Sequence, residues 1–165
     1  MILDSKWNFE LDWDMPDNTK DVCDGYIDWQ AGKNKDWINT SIPLWVIVTC
    51  DTVPSAGTSL QVLFYQHSGT TLTDGDLLLS GRVIARADLS ADPADPGHWL
   101  FCVPLMSCLC SVQAADRDRY CGPVLSASGT LTAGVCNAFL WLGANPPVPV
   151  ARPDIVGGSN IVMPS

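Results

Sequence analysis

Glutamate is nearly missing from this chain: of its 18 acidic residues only Glu10 is a glutamate, the rest being aspartates. With 13 Gly and 12 Pro beside that scarcity, the composition is poor in helix formers and rich in turn formers. Cations are scarce as well, 9 Lys and Arg leaving a formal net charge of −9. A phosphate-backbone binder needs clustered positive charge, so nucleic acid is excluded as an expected partner. The two histidines, His67 and His98, sit among turn formers and outside any H-E-x-x-H pattern, and they read as solvated loop residues. No G-x-S-x-G elbow, phosphate-binding P-loop or G-x-G-x-x-G fingerprint occurs, and Gly157-Gly158-Ser159 lacks the strand-turn-helix setting such motifs require. The opening Met1-Ile2-Leu3-Asp4-Ser5-Lys6 has no basic segment leading into an apolar run, which implies a product that stays soluble where it is made. The uncharged apolar stretch Trp99 to Ala115 falls short of the about 20 residues of a spanning helix and contains Pro104, so it reads as buried core rather than membrane.

Cysteine, by contrast, is plentiful. Seven thiols, an odd number without an export signal, favour reduced cysteines acting as small hydrophobes over a disulfide framework. Cys108-x-Cys110 lacks zinc-knuckle spacing and is expected on one face of a strand. Asp12-x-Asp14 and Asp74-Gly75-Asp76 offer oxygen ligands to a hard cation, yet neither continues into a loop ending in a bidentate Glu, and solvated turn carboxylates are the preferred reading. No metal and no cofactor are expected.

Hydrophobic periodicity points to strands. Leu44 to Cys50 is a β-branched and aromatic run of strand length, closed by Asp51, Pro54 and Gly57. Ser59 to Gln66 alternates with a period of two. Asp76 to Ser80, Gly81 to Ala87 and Trp99 to Val103 continue the series, and Arg119 to Ser126 adds another that Pro123 should push to an edge or bulge. Between Thr130 and Leu142 two alternating faces are legible, Leu131, Ala133, Val135, Phe139 and Trp141 against Thr132, Gly134, Cys136, Ala138, Leu140 and Leu142. Six or seven short strands without an amphipathic helical window imply an all-β protein, an antiparallel β-sandwich or jelly roll.

Three compositional blocks divide the chain. Residues 1–41 form an acidic segment with Trp7, Trp13, Trp29 and Trp37; residues 42–142 form the expected jelly-roll domain; residues 143–165, with Pro146, Pro147, Pro149, Pro153 and Pro164, suit an extended polyproline-like arm. Aromatic anchors concentrate at protein contacts, so Trp7, Trp13, Trp29, Trp37, Pro146, Pro147 and Pro149 are the candidate partner-contact residues. Catalytic residues are not expected: the one Glu and the scattered Asp offer little for a carboxylate hydrolase.

An ordered series of segments carries a family resemblance. Met1-Ile2-Leu3-Asp4-Ser5 followed by Phe9, then Pro43-Leu44-Trp45-Val46-Ile47-Val48, Gly57-Thr58-Ser59-Leu60-Gln61-Val62, Arg119-Tyr120, Gly129-Thr130-Leu131-Thr132-Ala133-Gly134 and Ala138-Phe139-Leu140 together resemble the capsid cement (decoration) proteins of short-tailed bacteriophages, of the type found on a Bordetella phage. The resemblance implies a jelly roll that pairs with itself, as a homodimer before a trimer. It also implies binding to the major capsid protein on the outside of the assembled virion, after synthesis in the host bacterial cytoplasm. The rival expectation is a carbohydrate-binding or receptor-binding β-sandwich module of a phage tail.

Overall fold

The computed structural model describes residues 8–28, 44–109, 117–143 and 146. Within them the strands are β1 (Asn8–Asp14), β2 (Lys20–Val22), β3 (Ile27–Asp28), β4 (Leu44–Thr52), β5 (Ser59–His67), β6 (Asp76–Ala85), β7 (Trp99–Pro104), β8 (Tyr120–Ser128) and β9 (Val135–Leu142), with one short α-helix, α1 (Leu105–Leu109), and three single 3-10 turns. All pairings are antiparallel. The strands form two sheets, one ordered β1-β9-β4-β7 and the other β2-β8-β5-β6 with β3 also paired to β8. The protein is an all-β sandwich.

The run Leu44 to Cys50 has no polar alternation because both faces of β4 are covered, and every one of those residues is buried. Leu44, Val46, Val48 and Cys50 face the inter-sheet core, where Phe101, Leu140 and Cys136 of the same sheet meet Leu60, Val62, Phe64 and Leu125 of the other. Trp45 and Ile47, at the alternate positions, lie on the outer face with Trp99 and Cys102, and Phe139 and Trp141 pack against them. Fully burying one such side chain stabilises by roughly 1.5–3 kcal/mol, so the core supplies most of the drive to fold.

Four sequence expectations are corrected. Residues 8–28, grouped above with an acidic segment outside the jelly-roll domain, belong to the sandwich: β1 pairs with β9, and β2 and β3 pair with β8. The two strands expected on either side of Ser80-Gly81 are one strand, β6, whose register shifts opposite Val62. A Cβ on Gly81 would lie 2.7 Å from the Val62 carbonyl oxygen and 3.1 Å from the Phe101 ring, so glycine allows the irregular strand to press onto the core there. Strand β8 is internal despite Pro123. On its outer side β2 stops at Val124 and β3 begins at Cys121, and the Pro123 carbonyl in that gap accepts from Cys23 Sγ at 3.2 Å. Since a strand residue turns its nitrogen and carbonyl to the same neighbour, the missing N–H costs no ladder bond. Cys108, finally, lies in helix α1 and points into the core, not along a strand face.

The register also gives the sandwich two unlike ends. Loops 15–19, 53–58, 86–98 and 129–134 close one end and bond to one another, Met15 N–H to Gly134 O at 2.9 Å and Ser55 N–H to Thr132 O at 3.0 Å. At the opposite end lie the starts of β1, β4 and β8 and the ends of β3, β7 and β9, as the pairs Asn8 with Phe139, Leu44 with Leu142, Trp45 with Pro104 and Asp28 with Tyr120 require.

Candidate interaction surface

The end that carries Leu44, Tyr120 and Leu142 exposes Tyr26, Met106 and Leu142, while Leu11, Val53 and Val83 are exposed elsewhere. Strand β3 and the residues before β8 bring Tyr26, Asp28, Arg119 and Tyr120 together. Arg119 donates to Asp28 through Nε at 3.1 Å and a second guanidinium nitrogen at 2.8 Å. Its guanidinium carbon lies 4.9 Å from the centre of the Tyr120 ring, and Tyr26 meets the same ring edge-on at 4.9 Å. The hydrogen bonds to Asp28 push the guanidinium pKa, already high, further up, so Arg119 is a permanent cation held in one orientation. Tyr26 is 44% exposed.

On the neighbouring sheet the same end carries Trp45 opposite Trp141 on β4 and β9. Trp45 Nε1 donates to the Gly143 carbonyl at 3.0 Å, and a Cβ on Gly143 would lie 3.0 Å from Trp141 Nε1. The backbone therefore leaves β9 in close contact with both indoles. Leu142 and, on α1, Met106 are exposed beside it. Asn8, Asp28, Leu44 and, next to Leu142, Gly143, which border stretches outside the described residues, belong to this end.

The candidate contacts read from sequence fall as follows. Trp13 is 1% exposed, packed in the inter-sheet core with its indole N–H donating to Asp21 Oδ2 at 2.9 Å. It is a core residue of this chain, which corrects its assignment as a partner anchor: β1 turns it inward opposite Cys136. Trp7, Trp29, Trp37, Pro147 and Pro149 lie outside the described residues, and Pro146 is half-buried. The Tyr26, Asp28 and Arg119 group was missed. Its only sequence signal was Arg119-Tyr120 itself, since Tyr26 is brought to it by strand pairing across ninety positions of chain.

No protein-family model matches the chain, and no curated protein does.

The other end bears an open groove of about 580 Å³ lined by Asp14, Asp17, Asp21, Thr19, Thr130 and Thr132 among others. Among the described residues no three His, Cys, Asp or Glu side chains are grouped to hold a metal ion. His98, read from sequence as a solvated loop residue, is buried under the loop before β7, edge-on to Trp99 at 5.0 Å, and burial lowers its pKa. Glu10 accepts from the Asp24 N–H at 2.9 Å, and partial burial raises its pKa. The charges that act on them are carboxylates, Asp24, Asp21 and Asp14 on Glu10 and Asp51 and Asp92 on His98. What the Tyr26 and Arg119 surface offers chemically is recognition: aromatic faces and a fixed guanidinium, the residue types that dominate protein contacts. Because Arg119 is already held by Asp28, little side-chain freedom remains to be lost on binding.

Proposed function

We propose that the protein is a structural component of a virus particle, a cement protein that binds the outer surface of a tailed-phage capsid and ties neighbouring major capsid subunits together. One observation carries this reading: the described residues that adjoin the remaining Trp-rich and proline-rich stretches in sequence, Asn8, Asp28 and Gly143, lie at the end where Tyr26, Arg119, Met106 and Leu142 are exposed. A cement strengthens a shell by adding buried interface across its seams, and a protein with several contacts at one end can span a seam. Copies repeated over a closed shell, or paired with one another as homodimers, gain from effective concentration even where each contact is weak.

The strand order supports the finer reading of the fold as a jelly roll. With β2 and β3 taken as two parts of one strand, eight strands run 1-8-3-6 in one sheet and 2-7-4-5 in the other, the order of two interlocked Greek keys. That fold hosts viral capsid proteins and lectins alike, so it permits the role without implying it. Of the resemblance segments, Met1 to Ser5 and Pro43 lie outside the described residues, and the others fall on β1 (Phe9), β4, β5, Arg119-Tyr120, the turn 129–134 and β9 (Ala138 to Leu140). The sugar-binding alternative is disfavoured by Trp45 and Trp99: each is 6% exposed with its indole N–H bonded inside the chain, leaving no open stacking platform there.

The test is to mix the purified protein with expanded heads that lack it. Co-sedimentation and a raised resistance of the heads to heat or chaotrope are expected. Failure to bind the heads, together with binding on a glycan array, would overturn the proposal in favour of the tail module.

A further inference from the structure

We infer that Cys50 and Cys136 are a cross-link site, a pair of thiols that form a disulfide between the two central strands of the four-stranded sheet when the protein meets a low-molecular-weight disulfide. Cys50 and Cys136 stand directly opposite each other in the β4–β9 register, and both are fully buried on the core face. Directly opposed residues of an antiparallel pair have Cβ atoms about 4.5–5.5 Å apart, and a disulfide needs about 3.5–4.5 Å, so an approach on the order of 1 Å suffices. The backbone around the pair is already irregular: the β4–β9 register shifts between Cys50 and Thr52, and the β1–β9 register shifts between Glu10 and Trp13, the residue opposite Cys136. Bulges are where strands most readily adjust by such a distance.

The other described thiols are placed differently. Cys102 lies opposite Ile47, and Cys121 opposite Gln66 and Ile27. Cys23 donates to the Gly25 and Pro123 carbonyls, and Cys108 sits on α1. No other two described cysteines are register partners.

The chemistry balances with glutathione disulfide as the oxidant. The Cys50 thiolate attacks one glutathione sulfur, forming a mixed disulfide and releasing one glutathione thiolate. The Cys136 thiolate then attacks the Cys50 sulfur and releases the second. Two protein thiols lose two electrons and two protons, and one glutathione disulfide becomes two thiols. Burial pushes the Cys50 thiol up to about 11 and raises Cys136 well above its usual value, so few thiolates exist at neutral pH. Exchange is therefore slow in the folded protein, needs local opening of the bulged corner, and speeds up about tenfold per pH unit while the thiolate remains the minor form. The finished bond would constrain the unfolded chain across more than half its length and raise the melting temperature.

The full-length protein is incubated with glutathione disulfide at alkaline pH, and a second sample is refolded from urea in a glutathione redox buffer. Remaining thiols are blocked with N-ethylmaleimide, the samples are digested without reduction, and cross-linked peptides are identified by mass spectrometry. The expected result is Cys50–Cys136 as the dominant cross-link, with a melting temperature several degrees above that of the same sample treated with dithiothreitol. Dominance of any other pair, glutathione adducts trapped on Cys50 or Cys136 without a cross-link, or no Cys50–Cys136 bond in either sample would overturn the inference.

Discussion

The Tyr26 ring lies half in solvent and touches Tyr120 edge-on, so Tyr26→Ala removes an exposed aromatic face while leaving the inter-sheet core intact. An edge-to-face aromatic contact contributes about 0.5–1.5 kcal/mol, and the exposed half of the ring contributes little to folding. The isolated variant should therefore lose no more than about 1.5 kcal/mol, read as a small shift of the urea midpoint with an unchanged slope. Binding should respond far more. A central aromatic anchor costs about 2 kcal/mol or more on truncation, which corresponds to roughly thirtyfold weaker attachment at each site. The assay is co-sedimentation with heads that lack the protein, titrated at constant salt, beside a melt of the free protein. Val83→Ala, at an exposed position on β6, serves as the control and should change neither quantity by more than twofold. A Tyr26→Ala protein that melts normally and binds heads as tightly as the parent would refute the assignment of this end as the gripping surface.

Other substitutions test the scaffold. Trp13→Ala should cost about 3–5 kcal/mol in urea unfolding, the value for a truncated core aromatic, whereas a surface anchor would cost under about 1 kcal/mol. Gly81→Ala should destabilise by about 1–3 kcal/mol, because the new Cβ meets the Val62 backbone carbonyl and the Phe101 ring; a neutral result would mean that β6 shifts freely there. His98 has a lowered pKa from burial, so the unfolded chain binds its proton more readily than the folded one. Its contribution is complete above the unfolded value near pH 6.5 and is lost as pH falls below it, so stability should drop as the pH is lowered through about 6.5. His98→Gln should flatten that part of the profile relative to the parent, and identical profiles for the two proteins would show that His98 is not its source.

Sequence periodicity made the strands legible wherever one face was wet or both were dry, as in β5 and β4, because alternation and unbroken apolar runs are direct images of burial. It failed where a tertiary contact overrode local punctuation. Ser80-Gly81 reads as a break, yet the glycine is there to let one continuous strand pass over Phe101. Pro123 reads as an edge marker, yet the strand is internal because its neighbour on that side is split into β2 and β3. The acidic composition of residues 8–28 concealed their strands: Asp12 takes a positive φ of 55°, and bulges in β1 remove the period that would have announced it. The interaction surface was half legible. Aromatic content pointed to the flanks, but Trp13 went to the core, while Tyr26 and Arg119 became neighbours only through the pairing of Asp28 with Tyr120, which no local pattern encodes.

An image reconstruction of heads decorated with the protein tests the central claim most directly. The account predicts a sandwich seated over the junctions between major capsid subunits, with the end bearing Tyr26, Arg119 and Leu142 against the shell and the groove lined by Asp14, Asp17 and Asp21 turned to solvent. Particles without added density, or a sandwich docked through that groove with Tyr26 facing away, would contradict it.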